Sequence, residues 1–381
     1  VLTLQGLGAV TGYGWGVEPF WNGMLGGEHA ASLVDGYGES HDRAAWVAVV
    51  PPGGDEADGP SRFGRAMRSA AREAVADARA RGWSAGRRVG LLHAVVLGEV
   101  DLWRDFYLHR GGDVPSRDYL GLMPSTPMSL LMKEFGFHGP AMNVSAMCSS
   151  GNAGLLTAKA WLDSGIVDDV VFVATDISAT PENVLHFERL GVTFTDAEPL
   201  EVCKPFQQGS RGFPMGEASV AMVLSRVSGG TPYLTVLGGA MSHDAHHVTS
   251  IDPGLAEVTR CFEEAFADAG VEPSNVRYLH AHGPGTAQCD RAEAEIFDAL
   301  FPPDAALYSV KPLVGHCQGA ASAVEIAATA LAFDRGTIPA PPRKAPGHPR
   351  LLDGPTSVRD GVTVKSSIGM GGHNSVVLLA P

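Results

Sequence analysis

The chain has 381 residues, 45% hydrophobic and 18% charged, enough for one large core or two fused ones. Its 28 Lys and Arg against 42 Asp and Glu leave a net charge of −14, which excludes nonspecific nucleic-acid binding and allows an acidic partner only through a local basic patch. No apolar run is long enough to cross a bilayer, and the five cysteines, at 148, 203, 261, 289 and 317, are odd in number with no CxxC pair, which argues for a reducing cytoplasm over a disulfide framework or structural zinc.

The opening "VLTLQGLGAVTGYGWG" alternates and breaks at glycines, so it reads as a strand and loop, not a signal peptide. "SRFGRAMRSAAREAVADA" (61–78) has a helical pattern and leads to the β-like run "RVGLLHAVV". "AMNVSAM" then runs into Cys148 and a helix expected near 149–163, stopped by Gly165, followed by the β-branched run "VVFVATD" at 170–176. "SRVSGGTPYLTV" (225–236) is the one convincing seam. Beyond it the pattern repeats: "LTVLGGAMS" at 234–242 echoes "LTLQGLGAV" at 2–10, "EAFADA" at 264–269 echoes "EAVADA" at 73–78, and "SVVLLAP" at 375–381 echoes "SVAMVLS" at 219–225. The shared order of these matches argues for a duplicated α/β architecture with largely parallel sheets and halves at 1–228 and 229–381.

"ALYSVKPLVGHCQGAASAVEIAATALAF" also reads strand, loop, helix, so His316 before its helix corresponds to Cys148 before the first-half helix. An unpaired cysteine is usually a small core residue, but a thiol at a helix N-terminus is stabilised as thiolate by free N–H groups and the helix dipole. "HAHGPGT" (280–286) ends a strand with two alternating histidines, His280 and His282, and spacing does not choose between them. "SHDAHH" (242–247) lacks a second ligand group at helical spacing, which argues against zinc. "GMGGHN" lacks the GxGxxG spacing and following helix of a dinucleotide site.

Together, Cys148 in "AMCSSG", His282 in "AHGPGTAQCDRAE", and Lys311 with His316 in "SVKPLVGHCQGAASAVE" resemble the β-ketoacyl-acyl carrier protein synthase family, in its elongating Cys-His-His branch. "CKPFQQGSRGFPMGEASVAMVL" (203–224) and "SSIGMGGHNSVVLL" resemble the mid-chain signature and closing segment of that family, so the likeness runs from about residue 2 to 380. The resemblance implies the thiolase fold, with duplicated halves in an α-β-α-β-α five-layer arrangement. It makes Cys148 the acyl-carrying nucleophile, and His282 and His316 the donors that stabilise an enolate formed by malonyl decarboxylation. Lys311 and Glu325 support the histidines, and the backbone N–H groups of Cys148 and Met370 form an oxyanion hole. It also implies substrates carried on the phosphopantetheine of an acyl carrier protein, no cofactor or metal, and a homodimer or a heterodimer with a chain-length factor.

Several residues depart from the family pattern. Pro284 replaces the first threonine of HGTGT while Thr286 keeps the second, Met147 replaces a small residue beside the nucleophile, and Met370 and Ile368 replace two phenylalanines of the closing segment. These five positions are expected to contact substrate. Gln207 stands where an acidic residue follows "PF", and the stretch 91–122 is shorter than the family's. The departures leave room for a ketosynthase-fold acyltransferase without elongation. A chain-length-factor-like subunit, which typically lacks the cysteine, fits less well.

Overall fold

The computed structural model describes residues 2–109, 116–226 and 230–381. Ten strands form one continuous path: β1 (Leu2–Thr11), β2 (Val89–Ala94), β3 (Ala141–Val144), β4 (Asp169–Asp176) and β5 (Ala218–Ser225), then β6 (Leu234–His243), β7 (Val276–His280), β8 (Ala306–Tyr308), β9 (Val362–Gly369) and β10 (His373–Ala380). Their spatial order is β8-β7-β9-β10-β6-β1-β5-β4-β2-β3. Adding five to each first-half strand number reproduces the second half, so the order is the same read outward from the β1–β6 seam. The sequence repeats fall on corresponding elements, and "LTLQ" and "LTV" pair directly, with Leu2 opposite Val236 and Leu4 opposite Leu234.

The sheet is mixed, which corrects the expectation of largely parallel strands. Only the outer strands pair in parallel, β2 with β3 and β4, and β7 with β8 and β9. The five central pairings are antiparallel. Apart from β6, whose burial alternates, these strands are buried along nearly their whole length, and such mostly apolar runs look the same in either orientation.

Helices complete the five layers. α1 (Arg62–Ala80) is capped by Ser61, whose Oγ accepts from Gly64 N, and buries Phe63, Ala66, Met67, Ala70, Ala71, Ala74, Val75 and Ala78 at helical spacing. It lies on β1, β5 and β4, so closely that a Cβ at Gly8 would stand 2.0 Å from the Ala70 carbonyl oxygen. α3 (Ala256–Ala269) covers β6 and β10 in the same way. α2 (Ser150–Asp163) and α5 (Ala321–Arg335) form the middle layer. Every residue of α5 from Ala321 to Ala332 is buried, as a helix enclosed on all sides requires. α2 and α5 meet at their N-termini: a Cβ on Gly151 would lie 2.4 Å from Ala323 N, and Ser322 Oγ accepts from Asn152 N at 3.0 Å. That crossing places the starts of the two buried helices side by side at the centre of the molecule. The proposed 228/229 boundary, and residues 110–115 of the 91–122 stretch, lie outside the described residues. Among the described residues, no helix is long and apolar enough to cross a membrane.

Candidate active site

Cys148 occupies a sharp elbow between β3 and α2. Met147 before it has φ 50°, a left-handed conformation that side chains other than glycine rarely adopt. Ser150 holds the elbow from inside, its Oγ donating to Met147 O at 2.6 Å and accepting from Ala146 N at 2.9 Å. The Cys148 carbonyl accepts from Ser322 Oγ at 3.3 Å and Ser367 Oγ at 3.0 Å, so the second half of the chain fixes the turn as well. The backbone N–H groups of Met370 and Cys148 both lie against the sulfur. They and the Lys311 charge favour the thiolate, yet burial outweighs them and pushes the thiol above its usual 9.0. The sequence reading of a stabilised thiolate is thereby corrected. The helix start is present, but the thiol beside it is buried.

α4 (Ala287–Leu300) and the loop before it place His282. Glu293 on this helix accepts from the backbone N–H of both His282 and Gly283, at 2.7 Å each, and its Oε1 also accepts from Ser366 Oγ at 2.6 Å. Between the alternating histidines the structure chooses clearly. His280 turns away, stacked on Tyr308 with ring centroids 4.3 Å apart and Nδ1 2.9 Å from Thr329 Oγ1. His282 faces His316, with ring centroids 5.5 Å apart and planes nearly perpendicular.

His316 is held by its backbone N–H on Pro214 O at 2.8 Å and by Phe213, whose ring centroid lies 4.5 Å from its own. Gln318 N donates to His316 Nδ1 at 3.0 Å, which leaves the proton of the neutral ring on Nε2. Lys311 Nζ lies 3.3 Å from His282 Nδ1, also donates to the His282 carbonyl, and forms an ion pair with Glu325. An ammonium can only donate, so His282 too carries its proton on Nε2. Burial and the Lys311 charge hold both imidazoles well below the usual 6.5, so both are neutral.

The five residues singled out for chemistry, Cys148, His282, His316, Lys311 and Glu325, are thus brought together and buried. Ligand atoms of Cys148, His282 and His316 all lie within 4.8 Å of one another, and among the described residues this is the one cluster spaced to hold a metal ion. Two neutral Nε2–H donors directed at a buried thiol equally suit a reacting carbonyl. The histidines of 242–247 do not converge in this way. His243 packs on His373 with centroids 4.8 Å apart, and Asp244 accepts from Asn374 Nδ2 at 2.6 Å.

A cavity of about 250 Å³ opens onto Cys148 and is lined by Phe213, Thr286, Pro284, Ile368, Met370 and Cys289 among others. Four of the five expected substrate-contacting positions lie here. Met147 does not: it lines a shallower depression on the far side of Met370, with His243, His247 and His373. Its side chain points away because the left-handed elbow turns residue 147 outward as it turns 148 in. Gln207 is also remote, its Oε1 accepting from Lys344 N and Ala345 N. Sequence reasoning missed Glu293 and Lys365. Glu293 stood in the quoted "CDRAE" with nothing to separate it from a surface acid, and Lys365 lies in a strand where a buried cation is unexpected.

Residues 3–229 match the family described as "Beta-ketoacyl synthase, N-terminal domain" and residues 233–342 its "C-terminal domain". The chain belongs to the β-ketoacyl synthase family. It is similar to the oxytetracycline polyketide putative beta-ketoacyl synthase 1 of Streptomyces rimosus, at 30% identity over 89% of this chain and 86% of that one. The chloroplastic 3-oxoacyl-[acyl-carrier-protein] synthase I of Hordeum vulgare is 24% identical over 100% and 89% of the two chains. Among solved structures, a type II polyketide ketosynthase complexed with its acyl-carrier protein superposes with a TM-score of 0.87, at 23% identity, over 100% of this chain and 98% of that one. The ishigamide ketosynthase/chain length factor gives 0.85 at 23%, with the same coverage. The fold is therefore the thiolase fold of ketosynthases, and this β-ketoacyl synthase is an acyltransferase of the fatty-acid and polyketide type.

Proposed function

We propose that this ketosynthase performs decarboxylative Claisen condensation, with the reacting groups drawn from both halves of the chain, 1–228 and 229–381. The observation that carries the reading is the pair of neutral histidines, each with its proton on Nε2, converging on the Cys148 thiol. Cys148 exchanges its thiol proton for the acyl group of a pantetheine thioester, so the carrier leaves as a free thiol. A malonyl thioester then enters, and its carbonyl accepts from Nε2 of His282 and His316. The C–C bond to the carboxylate breaks, CO₂ leaves, and the electron pair remains as an enolate stabilised by these two donors. The enolate carbon attacks the acyl-Cys148 carbonyl. The N–H groups of Cys148 and Met370 hold the resulting oxyanion, and its collapse expels the Cys148 thiolate.

Neutral donors suit this chemistry, because an imidazolium would hold the malonyl carboxylate by charge and oppose its loss. Lys311, tied to Glu325, keeps His282 in its tautomer. Thr286, Pro284, Ile368 and Met370 shape the arm and acyl site. The partners that fit are an acyl carrier protein delivering both thioesters on phosphopantetheine, and a second ketosynthase-like chain, either another copy or a chain-length factor. All five cysteines are free, in keeping with a reducing cytoplasm. Intact-mass analysis with acyl- and malonyl-carrier proteins tests the whole reading. Acylation of Cys148 followed by a two-carbon-longer product is expected, and acyl transfer without extension would overturn condensation.

A further inference from the structure

Behind the histidines lies a second buried cation, in addition to Lys311. Lys365, on β9, is completely buried, and its Nζ lies 2.8 Å from Glu325 Oε2 while Lys311 takes Oε1. Lys365 Nζ also donates to the Ser366 carbonyl, and Ser366 Oγ donates to Glu293, the carboxylate that fixes the His282 backbone. Lys365 pairs in register with His280, which is neutral and supplies no charge. The buried charges around His282 are thus Lys311 and Lys365 against Glu325 and Glu293, with the carboxyl of Asp290 one turn before Glu293 on α4, and none of the five is exposed.

We propose that Lys365 is a positioning residue for the decarboxylation step, acting through Glu325 and Lys311 on His282. The inference rests on the condensation reading above. Without Lys365, Glu325 and Glu293 would share one ammonium, adding negative charge where the reaction generates an enolate. Glu325 would also have both oxygens free for Lys311 and would draw it from His282 Nδ1, the contact that fixes the Nε2–H tautomer. A buried ion pair of this kind is weak evidence for a stabilising role. Unpaired, it would be costly. Shared, it gives one carboxylate two partners and leaves Lys311 a donor to spare.

The test compares wild type, Lys365→Met and Lys365→Gln in two half-reactions: acylation of Cys148 from an acyl-pantetheine thioester, read by intact mass, and CO₂ release from malonyl-pantetheine. Acylation is expected to stay within about threefold. Decarboxylation is expected to fall roughly 10- to 100-fold, in kcat with little change in KM, since the lost stabilisation belongs to the developing charge. In a Glu325→Gln background, Lys365→Met should add little further loss, as residues of one network do not act additively. Wild-type decarboxylation in Lys365→Met, equal loss in both half-reactions, or failure of both variants to fold would each overturn the proposal. If wild type itself neither loads nor decarboxylates, the condensation reading fails instead.

Discussion

Gln318 donates its backbone N–H to Nδ1 of His316, and that 3.0 Å bond decides the tautomer of the neutral imidazole beside Cys148. The proton stays on Nε2, and the ring is a donor toward the cavity without needing to be charged. His316→Ala is therefore expected to retain Cys148 acylation while losing condensation, on the order of 10²–10³ in rate for one lost oxyanion-type donor. Single-turnover measurement of the two half-reactions checks this, and unchanged product formation would remove His316 from the decarboxylation step.

Cys148→Ala is expected to abolish the acyl-enzyme with the fold intact, since the elbow is held by Ser150, Ser322 and Ser367 and not by sulfur. Because burial raises the thiol above 9.0, alkylation of the free enzyme should accelerate with pH through and beyond pH 9. Peptide mapping after iodoacetamide treatment identifies the site. A rate that levels off near neutrality would mean a thiolate already formed.

Ser150→Ala removes the two Oγ bonds at the left-handed elbow, from Ala146 N and to Met147 O, while the Ser150 backbone N–H still donates to Met147 O at 3.1 Å. Leaving the half-buried Ala146 N–H without its partner should cost about 1 kcal/mol. The elbow then relaxes, so Cys148 loading should fall more than malonyl decarboxylation does. Urea unfolding and intact-mass kinetics on the same sample measure both. Equal stability and loading would show that the backbone alone holds the turn.

Met370 separates the Cys148 cavity from the depression lined by Met147 and His243. Its backbone N–H serves the sulfur, so its side chain can change without loss of that donor. Methionine is unbranched and adapts to irregular acyl chains. Met370→Phe should narrow acyl-chain preference and leave decarboxylation on a pre-acylated enzyme nearly unchanged. Competition among acyl-carrier substrates of different length checks it, and an unaltered profile in a folded variant would reduce Met370 to packing.

His93, buried on β2, is held down to about 4 by desolvation, partly offset by Asn143. The folded state keeps it neutral while the unfolded state takes a proton near 6.5, so its contribution is present above 6.5 and lost as pH falls toward 4. His93→Leu should lose this dependence, and the gap between variant and wild type should widen by about 3 kcal/mol between pH 7 and pH 4. Urea titrations at both pH values measure it, and parallel stability curves would contradict the assignment.

Much of this protein was legible in its residue order. Apolar runs and helical spacing placed a helix at 149–163, where α2 is Ser150–Asp163, and a strand at 170–176, where β4 is Asp169–Asp176. Weak internal repeats pointed to two like halves, and the run of motifs from Cys148 to Met370 pointed to the family. These features are local, or are sums of local features, and survive in one dimension. What only the tertiary structure decided depends on partners distant in sequence. Strand direction was hidden because strands buried along their length, as β1, β4, β5 and β9 are, carry no alternation. His282 was separated from His280 by which ring meets His316, and Met147 was turned from the cavity by a single backbone angle. The thiol of Cys148 was raised by burial that a helix-start argument does not include. Lys365 and Glu293 became visible only when β9 and α4 met behind His282, because a buried charge is recognised by the groups that compensate it, and here those lie on other elements of the fold.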